Sequence, residues 1–251
     1  MNGSSSTYYT DRLDAIILAG GRGTRLQSMV SDRPKPLAEV AGRPFLEWLL
    51  LALRAQLVRR AVLATGYKGE MVEAAFGDGA RLGMELAYAH ETVPLGTGGA
   101  ARHALEQVTT DHVLVLNGDS FCPFNVRRLV ESHQRTGARA TLWLVPMDDC
   151  RRYGAVDVAD DGRVRSFHEK SPDLGTGLIN AGVYLFDRRT LADIPAGRAM
   201  SLERDTFPTL IGDGLYATVG EGPFLDIGTP ESYASAERFF DDHRALWSDV
   251  L

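Results

Sequence analysis

Two groups of residues in this sequence have the types and spacing for polyphosphate chemistry. The first is the run Leu-Ala-Gly-Gly-Arg-Gly-Thr-Arg-Leu at 18–26, followed by Arg-Pro-Lys-Pro-Leu at 33–37. Glycines let backbone N–H groups come close to a polyphosphate. Arg22, Arg25 and Lys35 can then neutralise its charge. An apolar run at 15–18 ends at this loop, so the expectation is a strand feeding a nucleotide-phosphate cradle. A plain tight turn is the ordinary reading of such glycines, and the adjacent cations argue against it. Two familiar cradles do not fit. A dinucleotide fingerprint needs a third glycine where Leu26 stands, and a Walker A loop needs a Gly-Lys pair, which occurs nowhere in the chain.

The second group is carboxylates and amides that follow apolar runs. Asn-Gly-Asp-Ser at 117–120 closes one such run. A carboxylate at the carboxyl end of a central strand is well placed to hold Mg²⁺ against nucleotide phosphates; capping a turn or helix is the competing role for Asp119. Phe-Leu-Asp-Ile-Gly-Thr-Pro at 224–230 has the same form around Asp226. Leu-Gly-Thr-Gly-Gly-Ala at 95–100 suits close approach by a base, a ribose or an anion, or is simply a helix start. In Asn-Ala-Gly-Val-Tyr at 180–184, Asn180 could bond a sugar hydroxyl while Gly182 leaves room for a ring, or the segment is a strand with an edge glycine. Glu169 and Lys170 alone would be a surface ion pair without consequence, and His168 has no assigned role.

Taken together, Gly-Gly-x-Gly-Thr-Arg-Leu and the downstream Pro-Lys-Pro-Leu resemble the signature of the sugar-1-phosphate nucleotidyltransferases, and the resemblance runs from residue 14 to 240. It implies nucleotide contacts at Leu18, Ala19, Gly20, Gly21, Gly23 and Thr24. It places Glu91, Gly96, Thr97 and Gly98 at the nucleobase side. It also implies Arg25, Lys35 and Asp119 as the catalytic group, with Arg25 and Lys35 stabilising the transition state, and Asp119 and Asp226 as ligands of Mg²⁺. Phe-His-Glu-Lys at 167–170 is similar to the family's Phe-x-Glu-Lys element, which implies Lys170 on the sugar phosphate and Glu169 on a sugar hydroxyl. Tyr153-Gly154 resembles a sugar-contacting pair. Asn117, Gly154, Asn180 and Gly182 complete the implied sugar-phosphate half.

The implied partners are an NTP and a sugar 1-phosphate, with no nucleic acid and no membrane; pairing of two copies is left open. No Ser-His-Asp or Cys-His arrangement is discernible, which argues against a covalent enzyme intermediate. A sugar 1-phosphate is already an anionic nucleophile. Its obstacle is repulsion from the triphosphate, so catalysis reduces to positioning and electrostatics. The Gly-Thr-Gly-Gly and Asp-Ile-Gly-Thr-Pro-Glu-Ser-Tyr contexts, with a short C-terminal stretch, look like the branch that transfers guanylyl to D-glycero-α-D-manno-heptose 1-phosphate. Asn180-Ala181-Gly182 departs from the Asn-Gly-Gly expected there. Hexose-specific thymidylyl-, uridylyl- and guanylyltransferases are the alternatives. A non-catalytic nucleotide-sugar binder is a further one, opposed by the joint presence of Arg25, Lys35, Asp119, Lys170 and Asp226.

Elements that could position these residues alternate along the chain. Strands are expected at 15–18, 60–65, 84–90, 112–116 and 139–145, and helices at 44–53, 68–76, 97–108 and 126–136. Alternation of this kind predicts βαβ units and a Rossmann-like, doubly wound α/β fold: a mixed, mainly parallel sheet with ligands at the carboxyl ends of its strands. After Pro146, short strands at 156–158, 164–168 and 178–186 around Asp161-Gly162 predict hairpin chemistry and a small β subregion that covers the substrate. Helices are expected at 201–211 and 230–240, the latter with Thr229 as N-cap and Pro230 at N1.

A length of 251 residues, of which 44% are hydrophobic, suits one α/β domain spanning 1–251. A net charge of −6 argues against bulk binding of nucleic acid or anionic membrane. Cys122 and Cys150 lack metal-ligand spacing and read as free thiols in a reducing cytoplasm. The segment 1–11 reads as a frayed tail; its first ten residues have no apolar stretch of the kind a signal peptide carries.

Overall fold

The computed structural model describes residues 13–21, 23–26, 29–153, 155–168, 173 and 175–246. The tail expected at 1–11 lies outside them.

The first half of the chain alternates strands with helices. β1 (Asp14–Ala19) leads through a 3₁₀ turn, Lys35–Leu37, and a ribbon of β2 (Glu39–Val40) and β3 (Arg43–Pro44) into the helix Phe45–Ala55. β4 (Arg60–Thr65) precedes the helix Gly69–Phe76, and β5 (Glu85–His90) precedes the helix Gly96–Ala104. β6 (His112–Asn117), the two-residue β7 (Ser120–Phe121) and the helix Val126–Thr136 follow. The second half supplies β8 (Ala140–Met147), β9 (Ala155–Val158), β10 (Val164–His168) and β11 (Gly177–Asp187). It continues with β12 (Leu215–Val219), β13 (Leu225–Asp226) and the helices Pro230–Ala234 and Ala236–Asp242.

One nine-stranded sheet draws on both halves, in the order β10-β9-β11-β6-β1-β4-β5, with β8 on β11 and β12 on β8. β6, β1, β4 and β5 are mutually parallel, as are β8 and β12, whereas β11 runs antiparallel to β6, β8 and β9. β1 lies between β4 and β6 and is covered on both faces, which is why it reads as a continuous apolar run. Successive side chains take opposite faces. Ile17 and Leu114 join the core under the helix Phe45–Ala55, whereas Ile16, Val113 and Val115 join the core with Tyr184, Phe186 and Phe207. The fold is thus the expected doubly wound, mainly parallel α/β arrangement. The Asp161-Gly162 hairpin is also as expected: Gly162 takes a left-handed φ of 86° between β9 and β10, and Ile179 pairs with Ala155 to join that hairpin to the main sheet.

Four elements differ from their sequence reading. The helix expected at 97–108 ends at Ala104 and tightens into a 3₁₀ turn, Leu105–Gln107. The helix expected at 201–211 is a π turn, Leu202–Thr206, followed by one turn of α-helix, Phe207–Leu210, because Pro208 lacks the N–H needed to carry a regular ladder through. The helix expected at 230–240 is broken at Ser235, although its start is as predicted. Thr229 accepts from the Ser232 N–H, Ser232 answers on the Thr229 N–H, and Pro230 sits at N1. β12 had no sequence signal beyond five residues between glycines, and it gains its place by parallel pairing with β8.

Candidate active site

β1, β4 and β6 end side by side, so the loops after them form one crevice outside the carboxyl ends of the sheet. The glycines of the first loop divide by what fills the space of their missing Cβ. At Gly20 that space belongs to the Glu91 carboxylate, and a Cβ on the facing Gly66 would lie 2.6 Å from the Gly20 carbonyl oxygen. Gly23 takes a left-handed φ of 57°, and its carbonyl accepts from the Leu26 N–H at 2.8 Å, closing the turn that carries Thr24 and Arg25. At Gly21 no protein atom lies within 4 Å of a built Cβ. Gly21 therefore keeps open the surface that a phosphate would approach. Arg22, whose sequence position is beside it, lies outside the described residues.

Lys35 begins its 3₁₀ turn between Pro34 and Pro36, whose rings fix the backbone on either side. Its Nζ donates to Asp119 Oδ2 at 2.7 Å; the Lys35 side chain is 11% exposed and that of Asp119 is 47% exposed. Asp119 Oδ1 accepts from Ser120 Oγ at 3.2 Å. Burial alone would push the Asp119 carboxyl up. The Lys35 charge and hydrogen bond, the Ser120 hydroxyl and the Arg25 guanidinium outweigh it and hold the group below the ordinary carboxylate range.

The two carboxylates expected to share a metal are brought together by a device too small to read in sequence. β7 and β13 form a two-residue antiparallel ribbon in which Asp226 faces Ser120, and the Ile227 N–H donates to the Asp119 carbonyl at 2.9 Å. Asp226 Oδ1 accepts from the Gly228 N–H. One carboxylate just before β7 and one in β13, both lining one cavity, match the oxygen donors that a hard divalent cation takes, since such an ion needs only one or two protein carboxylates beside substrate phosphates.

Two cavities meet at this point. One of about 310 Å³ is lined by Leu18, Ala19, Gly20, Gly21, Lys35 and Glu91, and the other, of about 620 Å³, by Arg25, Arg152, Tyr153, Phe167, Asn180, Glu203 and Asp226. Gly96, Thr97, Asn117 and Asp119 belong to both and form the seam. Gly23, Thr24, Gly98 and Gly182 lie on neither wall. Glu91 Oε2 accepts from the Leu95 N–H at 2.8 Å. Burial raises the Glu91 carboxyl, against the opposing pull of that hydrogen bond and of His103.

The structure corrects the reason for several expected contacts. The N–H of Gly98 donates to the Met200 carbonyl at 2.8 Å, and the same carbonyl lies 3.2 Å from a Cβ built on Gly98, so this glycine admits backbone rather than a base. The Thr97 hydroxyl donates to Glu203 Oε2 and accepts from the Leu202 N–H, each at 2.8 Å, so it clamps the 198–202 segment. Gly182, at φ 73° beside a β-bulge between Asn180 and Val183, makes room for the carboxamide of Asn117, 2.9 Å from a built Cβ, and not for a sugar ring. Asn180 does face the larger cavity. Its Oδ1 accepts from the Gly182 N–H at 3.0 Å, and its Nδ2 donates to the Tyr184 hydroxyl at 2.8 Å. Gly154, Glu169 and Lys170 lie outside the described residues.

Glu203 is a site residue that sequence reasoning missed. It accepts from Thr97 and Ser201 at 2.8 Å each and from the Tyr184 hydroxyl at 3.2 Å, inside the larger cavity. Helical spacing puts Glu203 on the same face as Thr206, Phe207 and Leu210, and a lone carboxylate on that face carries no ligand signal in sequence. Arg152, donating to Thr229 Oγ1 at 3.1 Å, adds a second unforeseen polar group to the same wall.

Residues 14–243 match the nucleotidyl transferase family. The chain belongs to that family. This nucleotidyl transferase is 40% identical over 227 residues to the mannose-1-phosphate guanylyltransferase of Mycobacterium tuberculosis, which covers 89% of this chain and 63% of that protein. It is 37% identical to the D-glycero-α-D-manno-heptose 1-phosphate guanylyltransferase of Aneurinibacillus thermoaerophilus, over 90% of this chain and 97% of that one. Among solved structures, HddC from Yersinia pseudotuberculosis complexed with GMP-PN superposes with a TM-score of 0.79 at 34% identity, covering 90% of this chain and 99% of that chain. The chain thus spans under two thirds of the Mycobacterium relative and nearly all of the Aneurinibacillus one. Nucleotidyltransferases of this kind generally use a divalent metal, which the Asp119–Asp226 pair suits. No helix among the described residues is long and apolar enough to cross a membrane.

Proposed function

We propose that this enzyme transfers the guanylyl group of GTP to D-glycero-α-D-manno-heptose 1-phosphate, releasing pyrophosphate and forming a GDP-sugar. The observation that carries this reading is the seam: Lys35 and Asp119 stand where a nucleotide-sized cavity opens into a larger polar one. The GTP phosphates run along Gly20 and Gly21 towards Arg25 and Lys35, and the sugar phosphate enters from the side of Asn180 and Glu203. A phosphate oxygen of the sugar 1-phosphate attacks the α-phosphorus in line, and the bond to the β-phosphate bridging oxygen breaks. The nucleophile is already ionised, so no residue need remove a proton. Arg25 and Lys35 neutralise the charge gathering on the α-phosphoryl oxygens and on the departing pyrophosphate. Asp119 and Asp226 would hold Mg²⁺, which would supply further charge neutralisation between the two anions. Glu169 and Lys170 follow Phe167, which lines the sugar cavity; their proposed roles are on a sugar hydroxyl and the sugar phosphate.

The base preference rests on Glu91, which lines the smaller cavity beside Gly20. Guanine offers N1–H and N2–H₂ donors to a carboxylate and to backbone carbonyls, whereas thymine and uracil offer a single ring donor. A site built to pair polar groups rejects ligands that lack them by up to about 10⁴–10⁵. Mannose 1-phosphate is the second reading, favoured by the 40% identity to the Mycobacterium guanylyltransferase. The test is pyrophosphate release, as kcat/KM, for GTP, ATP, UTP and dTTP against heptose, mannose and glucose 1-phosphates. GTP with heptose phosphate should lead. A preference for dTTP or UTP with glucose 1-phosphate would refute the substrate assignment.

A further inference from the structure

Far from the crevice, at the opposite end of β6, three potential metal ligands converge. β6 runs from His112 to Asn117, so His112 marks the end away from Asp119. Asp187 closes β11 and is the cross-strand partner of His112. His133 comes from the helix Val126–Thr136, which packs over this end of the sheet. His112 Nε2 and His133 Nε2 each lie 3.4 Å from Asp187 Oδ1. Among the described residues this is the one trio of His, Cys, Asp or Glu whose ligand atoms all fall within 4.8 Å of one another.

The spacing fits a coordination site, and His133 Nε2 is at the same time within hydrogen-bond reach of Asp187 Oδ1 at 3.4 Å. A charge-assisted N–H···O⁻ bond closes to about 2.7–2.9 Å. Ligand atoms bonded at about 2.0–2.1 Å to a tetrahedral ion stand about 3.3–3.4 Å apart. Both nitrogen–oxygen separations have the second value. The two imidazoles meet edge to face, at 85° and 5.3 Å between centroids, and each has its Nε2 near the same Asp187 Oδ1. His133 Nδ1 lies 2.8 Å from Thr141 Oγ1. A proton on Nδ1 given to that hydroxyl leaves the Nε2 lone pair facing the cluster, the arrangement that orients metal-bound histidines elsewhere. His133 is 2% exposed, whereas His112 and Asp187 are 40% and 42% exposed, so the trio is anchored in the core yet open to solvent on one side.

We propose that His112, His133 and Asp187 bind Zn²⁺, with water as fourth ligand. Two imidazoles and one carboxylate form a nitrogen-rich set that suits Zn²⁺ and not Mg²⁺. The ion ties β6, β11 and the helix Val126–Thr136 together, and it is separate from the oxygen-donor site at Asp119 and Asp226.

The test is calorimetric titration of the full chain with Zn²⁺ in a D119N/D226N background, which removes the carboxylate pair at the crevice. One equivalent should bind. H112A should weaken it by at least about 10–100-fold, the range already seen when groups that only support a ligand are lost. Co²⁺ in place of Zn²⁺ should give the visible bands of a tetrahedral ion, and these should vanish in H112A. His112 is part exposed and its removal should leave the fold and the transferase activity of the otherwise wild-type enzyme intact. D187N supplies the same test should H112A fail to fold. Absence of Zn²⁺ binding in the D119N/D226N chain, or undiminished binding in whichever of H112A and D187N is folded, overturns the proposal.

Discussion

Replacing Lys35 with Ala removes the ammonium held 2.7 Å from Asp119 Oδ2, and three consequences separate. Stability should hardly move. Asp119 is 47% exposed, so water resolvates it, and such a pair is worth at most about 1 kcal/mol. Turnover should fall far more. On the proposed function Lys35 is a preorganised donor towards charge that appears only at the transition state, and loss of one such donor costs about 2.7–4 kcal/mol, or about 10²–10³ in kcat. Mg²⁺ affinity should change in the opposite direction. An ammonium about 4 Å from a doubly charged ion in water-like surroundings repels it by about 2 kcal/mol, so K35A should bind Mg²⁺ on the order of tenfold more tightly or better. The assays are pyrophosphate release at saturating substrates, calorimetry with Mg²⁺ in the absence of nucleotide, and denaturant unfolding. A kcat within about threefold of wild type, less than 1 kcal/mol of barrier, refutes the transition-state role. Slow turnover accompanied by weaker Mg²⁺ binding also refutes it, because Lys35 would then serve only to shape the metal site.

D226N should lower turnover by orders of magnitude with an unchanged melting temperature, and EDTA should abolish wild-type activity; full activity in EDTA would exclude a metal-dependent step. E203A should raise KM for the sugar phosphate about tenfold or more, because three hydrogen bonds to a charged acceptor, each worth about 1.5–3 kcal/mol, hold the Thr97–Tyr184 wall; an equal rise in KM for GTP would make Glu203 a general scaffold. Burial raises the Glu91 carboxyl, so its protonation favours the fold below the ordinary value of 4.5, and that contribution is lost as pH rises through the raised value. E91Q should therefore melt above wild type at neutral pH, with the gap closing below pH 4.5, and should lose preference for GTP; a gap independent of pH would contradict the burial argument. G182A should cost about 1–2 kcal/mol in denaturant unfolding, from a left-handed backbone alone, and more if Asn117 is displaced.

The central sheet was legible because its inner strands are buried on both faces and so appear as apolar runs, with 60–65 matching to the residue; the helix 126–136 and the edge strand 164–168 match as well. The phosphate loop was legible because glycines and cations are adjacent in sequence. Glycine itself was the weak signal. A missing Cβ tells that something comes close without telling what: at Gly98 it is the Met200 carbonyl, at Gly182 it is Asn117, and at Gly21 it is solvent-filled space open to a ligand. The Asp119–Asp226 ribbon could be inferred only from resemblance, since a two-residue pairing leaves no periodicity. Glu203 was hidden because its partners Thr97 and Tyr184 are distant in sequence, and the His112–His133–Asp187 trio by its spread over three elements that meet only in the fold.

The departure at Asn180-Ala181-Gly182 can now be weighed physically. Position 181 is where glycine was expected and alanine stands. Ala181 is buried among Leu116, Val145 and Ile179, so its methyl group enters the core under the sheet and never reaches the cavity that Asn180 lines. The residue that the local backbone does constrain is Gly182, with its left-handed φ of 73°, and it is kept. The pairing of β11 with β8 is irregular between Asn180 and Val183, where Asn180 lines the larger cavity. An alanine at 181 therefore fills core volume without altering the polar wall. On the proposed reading, discrimination between heptose and mannose phosphates falls to side chains that line the larger cavity, among which Glu203, Arg152 and Asn180 carry hydrogen-bonding groups.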